Sequence, residues 1–190
     1  MKKTLTIILA FALVIAMSVA GTVAYLTSQD SVTNTFTVGK VAITLDEAKV
    51  DANGAAVTSA ERVKANSYKL IPGHAYTKDP IIHVDASSEE CWLFVKVENG
   101  ISAIEDSANT IATQLAANGW SVVPGAAGVY AYKESVAGST DVPVFGSFKI
   151  AGNAAVADYA NAKVVVTAYA VQADGFDTAA AAWTASGFGA

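Results

Sequence analysis

Cysteine is nearly absent from this chain, since Cys91 is the only one among 190 residues. An intrachain disulfide is therefore impossible, even if the protein is exported to an oxidising compartment where disulfides usually form. The fold must be stabilised by packing. Cys91 opens the apolar run Cys-Trp-Leu-Phe-Val, which predicts a buried, inert thiol rather than a nucleophile or an interchain bridge.

Histidine is almost as scarce, with only His74 and His83 in the chain. The His-Glu-x-x-His spacing, which places two imidazoles and a general-base carboxylate on one helix, is missing. Four nearby carboxylates could complete a metal site of unusual design, but polar loop residues flanking a strand are the simpler interpretation: Asp79, Asp85, Glu89 and Glu90. We therefore predict no metal site.

Other catalytic patterns are missing as well. The sequence has no Gly-x-Ser-x-Gly motif that would present a nucleophilic serine. It also has no glycine-rich loop that follows a strand and opens a helix to bind phosphate. We expect a protein that is not an enzyme, without catalytic residues or cofactors.

Positive charge is in the minority, with 12 lysines and arginines against 17 aspartates and glutamates and a formal net charge of −5. No run of lysine or arginine supplies the basic face that displaces counterions from nucleic acid. Nucleic acid is therefore not expected as a partner. The acidity is better suited to solubility and mutual repulsion of copies.

The first 24 residues have the pattern of an export signal. Lys2 and Lys3 precede an apolar stretch over residues 5–19, and small residues follow at two places, ending at Ala20 and at Ala24. About 16 apolar residues fall short of the roughly 20 that span a bilayer, which favours a signal peptide over a membrane anchor. We predict cleavage between Ala24 and Tyr25, with Ala20 as the alternative, and a secreted single domain over residues 25–190.

Over most of the remaining chain, apolar and polar residues alternate with a period of two, which predicts an all-β protein. Val41, Ile43 and Leu45 alternate with polar residues, and the phase changes at Gly39, where a bulge or bend would fit. The run 91–97 is apolar on both sides in its first half, which indicates a central strand. Further strands are predicted around 82–84, 120–123, 129–133, 142–150 and 163–172. We expect an antiparallel β-sandwich of jelly-roll type.

One or two short helices are expected beside the strands. Residues 106–118 suit a helix, with Asp106 or Ser107 as its cap and Gly119 at its end. A last helical turn near the C-terminus is predicted to dock through Trp183. Asp51-Ala52-Asn53-Gly54 predicts a tight turn.

Several motifs, in order along the chain, carry a resemblance to a known family. They are Gly-Thr-Val-Ala-Tyr-Leu-Thr at 21–27, Asn-Thr-Phe-Thr-Val-Gly-Lys-Val at 34–41, Leu-Ile-Pro-Gly at 70–73, Thr-Lys-Asp-Pro at 77–80 and Val-Thr-Ala-Tyr-Ala-Val-Gln-Ala at 166–173. Together they resemble the TasA and camelysin family of exported proteins. That resemblance implies processing by a SipW-type signal peptidase and a jelly-roll subunit that polymerises into extracellular matrix fibres of the biofilm type.

The resemblance also implies that the N-terminal segment of one subunit completes the sheet of the next. Residues 25–35 have no obvious hairpin partner nearby, and an extended segment can be added to the exposed edge of a neighbour. Such a head-to-tail contact need not close and so makes a filament. The candidate donor residues are Tyr25, Leu26, Thr27, Asp30, Val32 and Phe36, with Leu26, Val32 and Phe36 as apolar anchors on one face.

Alternative interpretations remain open. The N-terminal segment could pair within its own subunit or be a disordered end. The protein could be an accessory, anchoring or capping subunit that meets a related fibre protein. A surface- or sugar-binding module would use aromatic side chains, namely Trp92, Trp120, Trp183, Tyr130 and Tyr132. Camelysin-type relatives have also been labelled metalloproteases, for which the histidine spacing gives no support.

Overall fold

The computed structural model describes Lys3 and residues 39–188. The predicted cleavage site at Ala24 and Tyr25 lies outside the described residues, as do the six candidate donor residues up to Phe36. No helix within the described part of the chain has both the length and the apolar character needed to cross a bilayer.

Residues 39–188 form nine β-strands and two α-helices. The strands are β1 Ile43–Asp46, β2 Ala75–Thr77, β3 Ile81–Val84, β4 Cys91–Asn99, β5 Trp120–Val122, β6 Val129–Tyr132, β7 Asp141–Pro143, β8 Ser147–Lys149 and β9 Val164–Gln172. The helices are α1 Ile111–Ala117 and α2 Ala179–Ser186, and Ser102–Ile104 and Val156–Tyr159 form short 3₁₀ turns.

All pairings between these strands are antiparallel, which confirms the all-β prediction. The strands form three sheets, ordered β1-β3-β7, β2-β8 and β5-β6-β4-β9. The longest pairing joins β4 to β9 over nine residues each, from Cys91 opposite Gln172 to Asn99 opposite Val164.

Strand β4 lies inside its sheet, between β6 and β9, as its two-sided apolar pattern predicts. On one face Leu93 and Val95 are fully buried in the main core, to which all three sheets contribute. On the other face Phe94 is equally buried in a smaller cluster beneath α2. Both faces of the first half of β4 are therefore covered, which explains why apolar and polar side chains do not alternate there.

Each helix is positioned by a threonine cap and an apolar anchor. Thr110 Oγ1 accepts a hydrogen bond from Thr113 N, and Ile111 and Leu115 are buried on one face of α1. The predicted start at Asp106 or Ser107 is therefore too early. Asp106 instead accepts a bond from Ala108 N and pairs with Lys149.

Helix α2 confirms the predicted docking through Trp183. Thr178 Oγ1 caps its first turn, and Gly187 ends it with a φ of 71°. Trp183 is buried against Phe94, with 5.0 Å between the ring centroids.

The single strand predicted over 142–150 is divided into β7 and β8. β7 pairs with β3, whereas β8 pairs with β2 in a different sheet. Between them Val144 and Phe145 are buried. The chain has to change sheets within these few residues, so an uninterrupted strand cannot form, although the apolar pattern continues through the break.

Candidate functional site: a groove beside an unpaired strand edge

A groove of about 1030 Å³ runs between the end of β1 and the beginning of β9. Leu45, Asp46 and Glu47 line one side, and Val164, Val165 and Val166 line the other. Residues 63–68 and 159–163 complete its walls. We call this the edge groove, because β1 and β9 are each the outermost strand of a sheet.

Along the edge of β9 that faces away from β4, no backbone pairing is present among residues 39–188. In antiparallel pairs, residues alternate between those bonded to the partner and those directed outward. Ala173 N donates to Glu90 O, and Gly100 N donates to Lys163 O, so the odd-numbered residues bond to β4. The outward backbone groups have no hydrogen-bond partner among residues 39–188 and belong to the apolar residues Val164, Val166, Ala168 and Ala170 and, at the end of the strand, to Gln172.

The same four apolar residues direct their side chains at the main core without being fully covered. Val164, Val166, Ala168 and Ala170 are each partly exposed, although they pack against core residues. Their opposite-face neighbour Val165 is 40% exposed. An additional strand along this edge would gain backbone hydrogen bonds and cover apolar surface at the same time.

The equivalent edge of β1 is partly covered by residues 61–66, which we call the strap. Glu47 and Val63 exchange both of their backbone hydrogen bonds, at 2.9 and 2.8 Å between N and O. The Lys64 ammonium donates to the carbonyl oxygen of Leu45. The end of β1 that borders the edge groove is thus already paired.

Arg62 fixes the strap to the sheet. Its guanidinium donates to the carboxylate and the carbonyl oxygen of Asp46, and also to the carboxylate and the carbonyl oxygen of Asp79. Five donors in one rigid plane suit such a set of acceptors, which lysine could not match.

A buried ion pair lies at the base of the strap. Lys78 Nζ is 2.6 Å from Glu47 Oε2, and these residues are only 9% and 5% exposed. Asn66 Nδ2 donates to the other oxygen, Glu47 Oε1, at 2.9 Å and to Ala48 O at 2.8 Å. The carboxylate is therefore paired on both oxygens, as a buried charge requires.

His83 lies at the centre of β3 between two carboxylates from the neighbouring strands. Its Nδ1 is 2.6 Å from Asp141 Oδ1, and its Nε2 is 3.0 Å from Asp46 Oδ1. Partial burial lowers the pKa of His83, but hydrogen bonds and charges from Asp46 and Asp141 outweigh it, so the pKa is raised. A charged imidazolium can donate to both carboxylates, whereas neutral imidazole has one donor.

His74 and His83 have different contact partners. The ring of His74 contacts the carbonyl oxygen of Asn53 and packs edge-on against Tyr76. Across the part of the chain that is described, no group of three or more His, Cys, Asp and Glu side chains could hold a metal ion.

Cys91 is fully buried and unpaired, as its apolar surroundings predict. Burial, together with the charge of Glu90, raises the pKa of its thiol to about 11. The thiolate that a nucleophile needs is therefore scarce at neutral pH.

The aromatic residues considered for sugar binding are mainly packing residues. Trp120 and Trp183 are buried, and the Trp92 indole N–H donates to Phe176 O. Tyr132 packs beside Trp120 with 5.1 Å between ring centroids, which agrees with cross-strand packing rather than an open stacking platform. Tyr130 packs against the main core.

The edge groove was not predicted from the sequence. The alternation over residues 163–172 predicts β9, but alternation within a strand does not show which of its two edges lacks a partner. Arg62, Lys64 and Asn66 lie in a segment whose sequence is typical of a loop. Their polarity alone does not predict that they contact the end of β1.

Comparison with known proteins gives no further assignment. No protein-family model matches the chain, and neither a curated protein nor a solved structure is significantly similar to it.

Proposed function

We propose that this protein is a secreted structural subunit of an extracellular fibre of the biofilm-matrix type, which polymerises head to tail. The N-terminal segment, exposed by cleavage after Ala24, is the donor strand, and the edge groove of the next copy receives it. The contact is noncovalent. The donor residues are Tyr25, Leu26, Thr27, Asp30, Val32 and Phe36.

The observation that carries this proposal is a nine-residue edge strand that has a partner on one side only among residues 39–188, with an incompletely covered core behind it. An exposed edge with apolar side chains attracts other strands, and proteins usually protect such edges. β9 has the length and the apolar inward face that strand addition requires. In the donor segment Leu26, Val32 and Phe36 have one parity and would all face the core. The polar residues Ser28, Asp30 and Asn34 share that parity.

The finer fold and the export route belong to the same proposal. The antiparallel sheets that share the main core suit a jelly-roll sandwich, which one added strand would extend. A SipW-type signal peptidase would expose the donor strand during export. A related accessory, anchoring or capping subunit is compatible with the same groove, because it also needs an acceptor edge.

Electron microscopy of the chain beginning at Tyr25, over a range of concentrations, tests the proposal. We expect fibres from this chain and folded monomers from a version lacking residues 25–33. Fibres from the shortened version would contradict the donor role. Monomers from both versions would contradict polymerisation itself.

A matched pair of variants tests the face of the donor strand. Val32→Asp places a charge on the face directed at the core and should abolish fibres. Ser31→Asp places the same charge on the opposite face and should leave fibres intact. Equal effects of the two substitutions would contradict the proposed parity, and circular dichroism would establish that both chains are folded.

A further inference from the structure

We infer that, of the two strands that border the edge groove, β9 is the acceptor edge, because the strap partly covers the corresponding edge of β1. The inference rests on the proposed function, which names the edge groove but not the strand within it that receives the donor. It assigns four outward-directed backbone positions of β9 to the incoming strand, namely Val164, Val166, Ala168 and Ala170.

The two strands that border the edge groove differ in how many of their outward backbone groups are free to pair with another strand. β9 presents four consecutive outward positions without a partner among the described residues. β1 has only four residues, and its neighbour Glu47 is already paired with Val63. Strand addition gains affinity from consecutive backbone hydrogen bonds. A donor strand could therefore form a continuous series of such bonds with β9 but not with β1.

Several contacts attach the strap to the end of β1 and to Asp79. Arg62 makes four hydrogen bonds to Asp46 and Asp79, and Lys64 occupies the carbonyl oxygen of Leu45. A donor strand that paired with β1 would have to break the Glu47–Val63 pair and remove Lys64 from that carbonyl. Lysine beside a strand edge is a common means of preventing unwanted pairing.

Side-chain direction supports the same choice. The four apolar residues of β9 whose backbones face outward also direct their partly exposed side chains toward the main core. A strand paired with β9 therefore lies where its own apolar side chains can cover this surface. Leu26, Val32 and Phe36 of the donor would fill that position.

Proline substitutions separate the two edges with little change to the fold. Proline removes one backbone N–H, and a strand tolerates it where that N–H faces outward. Ala168→Pro removes an outward donor of β9, and Ile43→Pro removes an outward donor of β1, since Asp85 N donates to the carbonyl of the preceding Ala42. Both variants begin at Tyr25 and are compared with the parent chain.

We expect Ala168→Pro to raise the concentration needed for fibre formation by about fivefold to tenfold, the cost of one lost strand hydrogen bond. Ile43→Pro should polymerise like the parent. Thermal unfolding of each monomer checks that the fold is retained. Normal fibres from Ala168→Pro together with loss of fibres from Ile43→Pro would overturn the assignment to β9.

Hydrogen exchange in the parent chain decides the question even if a proline variant fails to fold. Fibres are compared with monomers lacking residues 25–33. Exchange at the outward amides of β9 should slow more than about tenfold, while the amides of Ile43 and Leu45 remain unchanged. Slowing at Ile43 and Leu45 instead would overturn the inference and leave the proposed function intact. Absence of any fibre would count against the proposed function itself.

Discussion

At the scale of single residues, charged side chains hold the β1-β3-β7 sheet and the strap together. His83 connects β3 to Asp46 on β1 and to Asp141 on β7. Arg62 shares Asp46 and extends the network to Asp79. The pKa of Asp46 is lowered, because hydrogen bonds from Arg62 and His83 outweigh the opposing effect of burial.

The raised pKa of His83 predicts a pH-dependent stability. A histidine that binds its proton more tightly when folded stabilises the fold below its unfolded pKa of about 6.5, and this contribution is lost as pH rises through the folded pKa. Asp46, with a lowered pKa, contributes in the opposite direction and only under acid conditions. We expect the melting temperature to fall between about pH 6 and 8.

Thermal unfolding of His83→Gln checks this prediction. The variant should be less stable than the parent at pH 6, and the difference should shrink toward pH 8. Asp106, which lies away from His83 and pairs with Lys149, offers the control substitution Asp106→Asn. A constant difference between His83→Gln and the parent over this range would contradict the role of the imidazolium.

The buried pair of Lys78 and Glu47 gives a second prediction at this scale. Lys78→Met leaves the Glu47 carboxylate buried without its cation, and should lower the free energy of unfolding by about 3 kcal/mol. Adding Glu47→Gln removes the uncompensated charge and should restore most of the loss. Denaturant titration of the parent, the single variant and the double variant measures both effects. A double variant less stable than the single one would contradict this account.

At the scale of elements, helix α2 covers the outer face of the β5-β6-β4-β9 sheet. Trp183 contacts Phe94 and Tyr169, with 5.0 and 5.7 Å between ring centroids. Trp183→Ala should therefore destabilise the protein by about 3 to 5 kcal/mol. Phe188→Ala, at a residue that is 46% exposed, should cost under about 1 kcal/mol. Similar losses for the two variants in denaturant titration would show that α2 is not anchored by Trp183.

Sequence patterns predicted elements better than they predicted the pairing between elements. The two-sided apolar run of β4 and the alternation in β9 identified both strands because burial on a pleated sheet sets the period of the pattern. The turn at 51–54 followed from Asn53 and from Gly54, which adopts a φ of 79°. The break between β7 and β8 was missed, since Val144 and Phe145 stay buried while the chain changes sheets.

The candidate site could be predicted only in part, for a physical reason. The donor role of Leu26, Val32 and Phe36 stays a prediction, since these residues lie outside the described part of the chain. An acceptor edge is defined by a missing neighbour in space, here among residues 39–188, and depends on β9 pairing with a strand some 70 residues earlier, at Cys91–Asn99. Local sequence patterns do not predict which strands pair when they lie so far apart in the chain.

At the scale of the whole molecule, the proposed function places donor and acceptor on different parts of one chain, so that each copy would accept one strand and donate another. Such a heterologous contact extends without closing. The chain beginning at Tyr25 lacks Lys2 and Lys3 and is therefore more acidic than the net charge of −5 of residues 1–190, a charge that would keep copies apart until a specific contact forms. The assembly should therefore depend on the donor segment and the edge groove together.

The most direct test of this account is the effect of a chain that can accept but cannot donate. The version lacking residues 25–33 retains the edge groove, so when added to the chain beginning at Tyr25 it should cap growing ends. Electron microscopy should then show a mean fibre length that falls steadily as the fraction of shortened chain rises. Fibres whose length does not change with that fraction would contradict head-to-tail assembly through the N-terminal strand.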